Sequence, residues 1–180
     1  MNILQSERPD TQPKLGPLSP AFNVAVQTIA RRLFPCGFDV AHETPGKPGI
    51  LSAPATLRQL TLHIQRTGRM LVSGEHSATT IYACPETNFA FRAWHDWHHW
   101  RHQIPFTLAG ERQVCAQQER DLRIVYGSRT AASFIPLLRA EVIGMAEYFQ
   151  WHGEFPKDQQ AFVLNWLSSP VLRARTNRKF

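Results

Sequence analysis

Apolar residues recur at helical spacing in five stretches of the chain. Ser19 and Pro20 open the first, AFNVAVQTIARRLF, which Pro35 and Gly37 end. Pro85 and Glu86 open the second, the central one, which stops near Gln103 because Pro105 follows. Thr107 caps LAGERQVCAQQERDLRIVY, closed by Gly127; a fourth helix runs from about Ala132 to His152 and ends at Gly153; KDQQAFVLNWL finishes before Pro170. Between Leu57 and Ala83 the period shortens. LRQLTLHI, RMLVS and TTIYA, separated by Thr67-Gly68 and Ser73-Gly74, predict three short antiparallel strands. The expectation is a mainly α (α+β) protein: about five helices bundled around a polar His/Glu site, with a small antiparallel sheet before the central helix. One domain spans 19–169, including a sheet at about 57–83, between a flexible proline-rich arm (1–18) and a basic tail (170–180). Five prolines and glycines between Pro45 and Pro54 make a long loop that wraps the domain or covers a site.

The central helix carries the chemistry. Asn88 to His102 holds four of the eight histidines and three of the five tryptophans. On a helical wheel Asn88, Phe91, His95, His98, His99 and His102 share an arc of roughly 100°, with Trp94, Trp97 and Trp100 on the other side as core. His95 and His99, four residues apart, can aim two ring nitrogens at one metal ion. Glu111 lies on the inward stripe of the next helix, near Gln118. Glu141 sits within the greasy stripe Phe134, Leu137, Met145, Tyr148 of the following one. A buried carboxylate there needs a cation, a hydrogen-bond network or a proton.

Two imidazoles and one or two carboxylates make a first coordination shell for a divalent transition metal, zinc, iron or manganese, leaving positions open for water. The expected ligands are His95, His99, Glu141 and Glu111. Asp96 either binds a second ion or holds a ligand histidine in its tautomer. Gln118 and Tyr148 are placed to hydrogen-bond water or substrate. Arg92, about one turn before Asp96, meets an anionic substrate or pairs with Glu111 or Glu141. His63 and His76 are expected at the surface.

A net charge of +6 makes an anionic small molecule or a nucleic acid the fitting partner, although four basic residues crowd the last eight positions. Three cysteines without a C-x-x-C pair encode neither a disulfide framework nor a zinc ribbon, and no run of eighteen apolar residues is present. These features place the protein in the cytoplasm and away from the membrane, in an oligomeric state the sequence leaves open.

His95-Asp96-x-x-His99, then Ile104-Pro105-Phe106 and Gly110-Glu111, resembles the HD phosphohydrolase superfamily. The resemblance implies a His-Asp dyad that binds a divalent metal and activates water against phosphoesters or nucleotides. A longer pattern is similar to a group of uncharacterised proteins of tailed bacteriophages. It comprises Asn88-x-x-Phe91-Arg92-Ala93-Trp94-His95-Asp96-x-x-His99, Gly110-Glu111, Ala140-Glu141-Val142-Ile143-Gly144, Glu147-Tyr148-Phe149 and Gly153-x-Phe155-Pro156-x-Asp158-Gln159. It implies a viral accessory protein in the host cytoplasm. A zincin-like peptidase is disfavoured, since that motif needs glutamate where Asp96 stands.

The function these residues support is a metal-dependent hydrolase acting on a phosphate-containing or nucleotide substrate through a metal-activated water, with Asp96, Glu111, Gln118, Tyr148 and Arg92 as the catalytic set. The alternative is a non-catalytic binding protein with a polar core or structural metal and a basic surface.

Overall fold

Side-chain caps set four of the helix starts. The computed structural model describes residues 18–42 and 52–169. Within them the order is α1 (Pro20–Leu33), β1 (Asp39–Ala41), α2 (Leu57–Thr67), β2 (Leu71–Ser73), α3 (Pro85–His102), α4 (Leu108–Arg139), a π-helical turn (Ala140–Gly144), α5 (Met145–His152) and α6 (Gln159–Ser168). Ser19, Thr56, Thr107 and Asp158 each accept the backbone N–H three residues on and open α1, α2, α4 and α6. The protein is mainly α. The arm up to residue 17, residues 43–51 of the long loop and the tail from residue 170 lie outside the described residues.

The sheet differs from the expected antiparallel meander. Its two strands run parallel, Asp39 opposite Leu71 and Ala41 opposite Ser73. A parallel pair needs a crossover, and α2 lies within it. LRQLTLHI therefore belongs to a helix: Leu57, Leu60 and Ile64 are spaced for one face, Thr56 caps its start, and Gly68 ends it at φ 68°. The third expected strand, Thr79–Ala83, is irregular chain that buries Ile81 and Tyr82 against α1 and α3.

α4 is two arms. Gly127 breaks it at φ 75°, ψ 157°. Glu119 and Arg139 would stand ~30 Å apart on a straight helix, yet Arg139 Nε donates to Glu119 Oε1 at 2.6 Å, so the chain doubles back at Gly127. The expected helices before and after Gly127 are these arms, although the second resumes at once and its continuation past Arg139 is the π-turn. Glu119 is buried between Arg123 and Arg139.

The main core joins α1, α3, both arms of α4, the π-turn and α6 around Phe22, Trp94, Leu122, Leu138 and Trp166. A smaller core of Leu60, Met70, Val72 and Ala93, with Trp97 and Trp100 half-buried on it, fixes α2 and the sheet to the back of α3. Held on both flanks, α3 is a rigid rod for its histidines.

Candidate metal centre

The histidines of α3 divide between two sites. Trp94 and His98, four residues apart, share one stripe: Trp94 Nε1 and His98 Nε2 both donate to Asp121 Oδ2 at 2.8 Å. His98 was expected on the face of His95 and His99; a carboxylate on α4 draws it to the tryptophan side. His102 stacks on it at 5.5 Å.

On the other stripe His95 and His99 point at each other, with 3.0 Å between their Nε2 atoms. Glu111 faces both, Oε2 at 3.1 Å from His95 and Oε1 at 3.2 Å from His99. The ligand atoms of the three residues all lie within 4.8 Å of one another. Two imidazole nitrogens on one tetrahedral zinc stand about 3.3 Å apart, so the spacing fits a shared cation.

The neighbouring hydrogen bonds decide what the Nε2 atoms carry. His99 Nδ1 donates to the Ile104 carbonyl at 2.9 Å. His95 Nδ1 faces Gln118 Oε1, also an acceptor, at a long 3.5 Å. The neutral His99 ring therefore keeps its proton on Nδ1 and turns its Nε2 lone pair toward His95 and Glu111. Two Nε2 atoms and a carboxylate at this spacing are bridged by a cation or by a shared proton.

Without a metal, a proton takes that place. Burial works against a charged His95, but Glu111 outweighs it, with Asp96 and Gln118 adding, and raises His95 to about 9. Burial likewise opposes the Glu111 carboxylate, yet His95 and His99 hold it down at about 2.

The local sequence explains the geometry. After Gln103 at φ 53°, the segment Ile104-Pro105-Phe106 turns back, bringing the Ile104 carbonyl to His99 and the Phe106 ring edge-on to it at 4.3 Å. A Cβ on Gly110 would lie 1.9 Å from the Pro105 carbonyl oxygen, so only glycine lets α4 start close enough to deliver Glu111. At Gly144 a Cβ would come within 2.9 Å of Trp166 Nε1, so this glycine seats the π-turn on α6.

The cluster opens on a cavity of about 760 Å³. His95, Asp96, Glu111, Arg92, Asn88, Glu141 and His76 give it a polar end, and Phe106, Leu108, Val142, Met145, Phe149 and Phe155 supply apolar wall. His99 lies behind the other two, fully buried. Burial raises the Asp96 carboxyl, partly offset by His95 and His99. Arg92 donates to the Ser73 carbonyl at 2.7 Å and has no carboxylate within ion-pair distance among the described residues, so the expected pair with Glu111 or Glu141 is not formed.

Three expectations need correction. Glu141 does not join the ligand group: it lines the cavity from the π-turn, and its Oε2 has no hydrogen-bond partner. Tyr148 packs on His152 and Phe162, outside the cavity lining, because α5 turns that face toward α6. Gln118 is fully buried against His95 and positions that ring, with no share in the cavity wall. Of the other histidines, His76 is exposed at φ 50° on the cavity lining, and His63 is half-buried with an unpartnered Nε2. Asp121 escaped the sequence reading; its place on α4 facing the Trp94–His98 stripe was the available signal.

Comparison with protein families, with characterised proteins and with solved structures returned no match.

Proposed function

We propose that the protein is a metal-dependent hydrolase of phosphate esters, with His95, His99 and Glu111 holding one divalent transition ion at the end of the cavity. The observation that carries this reading is the meeting of two Nε2 atoms and a carboxylate, with His99 held through its Nδ1, beside an open cavity. A closed structural zinc takes four protein ligands, whereas here three are offered and the cavity supplies the remaining side. A divalent ion held by His95, His99 and Glu111 would lower the pKa of a bound water toward neutrality and polarise a scissile phosphate.

The chain's own groups divide the rest of the work. Asp96, one residue along the helix and lining the cavity, accepts the water's proton. Arg92 brings a guanidinium to the same space for phosphate oxygens. The Ile104 carbonyl keeps the His99 imidazole in the ligating tautomer, and Gln118 lies against the His95 ring. The HD-like spacing around His95 and Asp96 supports metal-dependent phosphoester chemistry, although Asp96 stands outside the His95–His99–Glu111 group where the resemblance implies a ligand, and the longer pattern suggests a bacteriophage protein. Cys36, Cys84 and Cys115 are all free thiols, which suits a reducing cytoplasm. No helix among the described residues is long and apolar enough to cross a membrane.

A second reading has its own support. His95 and Glu111 satisfy each other through a proton at neutral pH, which would make the cluster a structural ion pair inside a binding protein. Hydrolysis of 4-nitrophenyl phosphate and of nucleotides by zinc- or manganese-loaded protein separates the two. The hydrolase reading expects turnover that chelation abolishes and added metal restores. No turnover in any loaded form favours the structural pair, and turnover indifferent to chelation removes the metal from the reaction.

A further inference from the structure

Of the buried acids among the described residues, Glu119 and Glu111 are ion-paired, whereas Asp96 and Glu141 are not. Glu119 binds Arg123 and Arg139, and Glu111 binds His95 and His99. Glu141 is 8% exposed, lines the cavity, and leaves Oε2 without a hydrogen-bond partner. A carboxylate in that position is several kcal/mol unfavourable unless it is neutralised. The fold nevertheless reserves a special backbone for it, since Glu141 lies in the π-helical turn, seated by Gly144 against Trp166. Such turns displace a side chain from the helical register and concentrate at working sites.

We propose that Glu141 is the proton donor of this cavity, protonating the departing oxygen of an alkyl phosphate ester hydrolysed at the His95–His99–Glu111 centre. The inference rests on the hydrolase reading above and narrows its substrate to esters of alcohols, whose alkoxide is too basic to leave unprotonated. Water attacks phosphorus and gives one proton to Asp96. The bond from phosphorus to the ester oxygen breaks, its electron pair stays on that oxygen, and the Glu141 proton completes the alcohol. Solvent then returns a proton to Glu141 and takes one from Asp96, so the sum is ester plus water giving alcohol plus phosphate.

The surroundings keep the acid protonated up to neutrality. Burial raises Glu141, Arg92 and His95 on α3 pull it down, and the balance stands at about 7. Tyr82, buried beside it, is itself pushed up by burial and by the Glu141 charge, so it remains a neutral phenol. α6, which packs on the π-turn, brings no titratable side chain.

The test compares metal-loaded wild type with Glu141→Gln on two esters, 4-nitrophenyl phosphate, whose phenolate leaves without a proton, and glycerol 1-phosphate. Glu141→Gln is expected to keep its metal and to hydrolyse the nitrophenyl ester within about threefold of wild type. On the alkyl ester it should lose roughly 10²–10⁴-fold, the range for a general acid. Equal loss on both esters, or no loss on either, overturns the proton-donor role while leaving the hydrolase reading in place. A loaded wild type that turns over neither ester overturns both.

Discussion

His98 and His99 are neighbours in the chain, yet they serve two sites built on different principles. His98 and Trp94 bring donors to an acceptor: two N–H groups meet one carboxylate oxygen of Asp121, and that pairing needs no added charge, although His98 Nδ1 on the other side of the ring is buried without a hydrogen-bond partner. His99 and His95 bring two Nε2 atoms to a carboxylate, with the Ile104 carbonyl holding the Nδ1 proton of His99. The first arrangement stabilises the fold as it stands; the second is completed by a cation or a shared proton. Burial alone does not separate them, for both rings are nearly inaccessible. What separates them is the partner of the far nitrogen, one ring using it for structure and the other leaving it for a ligand.

The largest way to break this contrast is at Gly110. Gly110→Ala drives a methyl into the Pro105 carbonyl at 1.9 Å and pushes Glu111 away from the histidines. A loss of about 3–5 kcal/mol in chemical denaturation is expected, at the upper end for one substitution, along with loss of metal affinity. Asp121→Ala strikes the closed region instead. It strands two buried donors and should cost about 2–4 kcal/mol in the same assay while leaving metal affinity intact.

Glu141→Gln should act with the opposite sign. The carboxyl titrates from 4.5 in the unfolded chain to about 7 in the fold, so the folded state holds its proton more tightly. Below pH 4.5 the acid is neutral in both states; as pH rises through 7 the buried charge costs stability, levelling off at about 3 kcal/mol. The glutamine variant of metal-free protein should therefore be more stable at pH 8 by up to that amount and nearly unchanged at pH 4. An equal effect at both pH values would mean that the side chain is not titrating there. Smallest is Arg123→Ala, which removes a half-exposed partner of Glu119 while Arg139 remains, and should shift stability by about 0.5 kcal/mol without touching either histidine site.

The five expected helical stretches and the His95–His99 pair were legible because each rests on local rules: caps at Ser19 and Thr107, punctuation by Pro105 and Gly153, and the i, i+4 spacing of the two histidines; of the two carboxylates expected beside them only Glu111 meets them. What sequence obscured was set by tertiary contacts. LRQLTLHI carries enough alternation to imitate a strand, and only the Thr56 cap and Gly68 stop reveal α2. The parallel pairing joins residues 32 apart, Asp39 to Leu71, and no local pattern announces it. A regular wheel places Glu141 with Tyr148 on a metal-facing stripe, but the π-turn intervenes and sends them to different places. His98 lies close to His95 on the same wheel, and only Asp121 on a separate arm decides its allegiance.

Elemental analysis of protein purified without an affinity tag tests the central claim most directly, applied to wild type, His99→Ala and Asp121→Ala in parallel. The account predicts one equivalent of a divalent transition metal in wild type and in Asp121→Ala. His99→Ala should bind that metal more than about 100-fold more weakly, beyond the loss expected from removing an outer partner, with its circular dichroism unchanged. Metal retained by His99→Ala at the wild-type level, or a wild type that takes up none when zinc, iron and manganese are supplied, would contradict it.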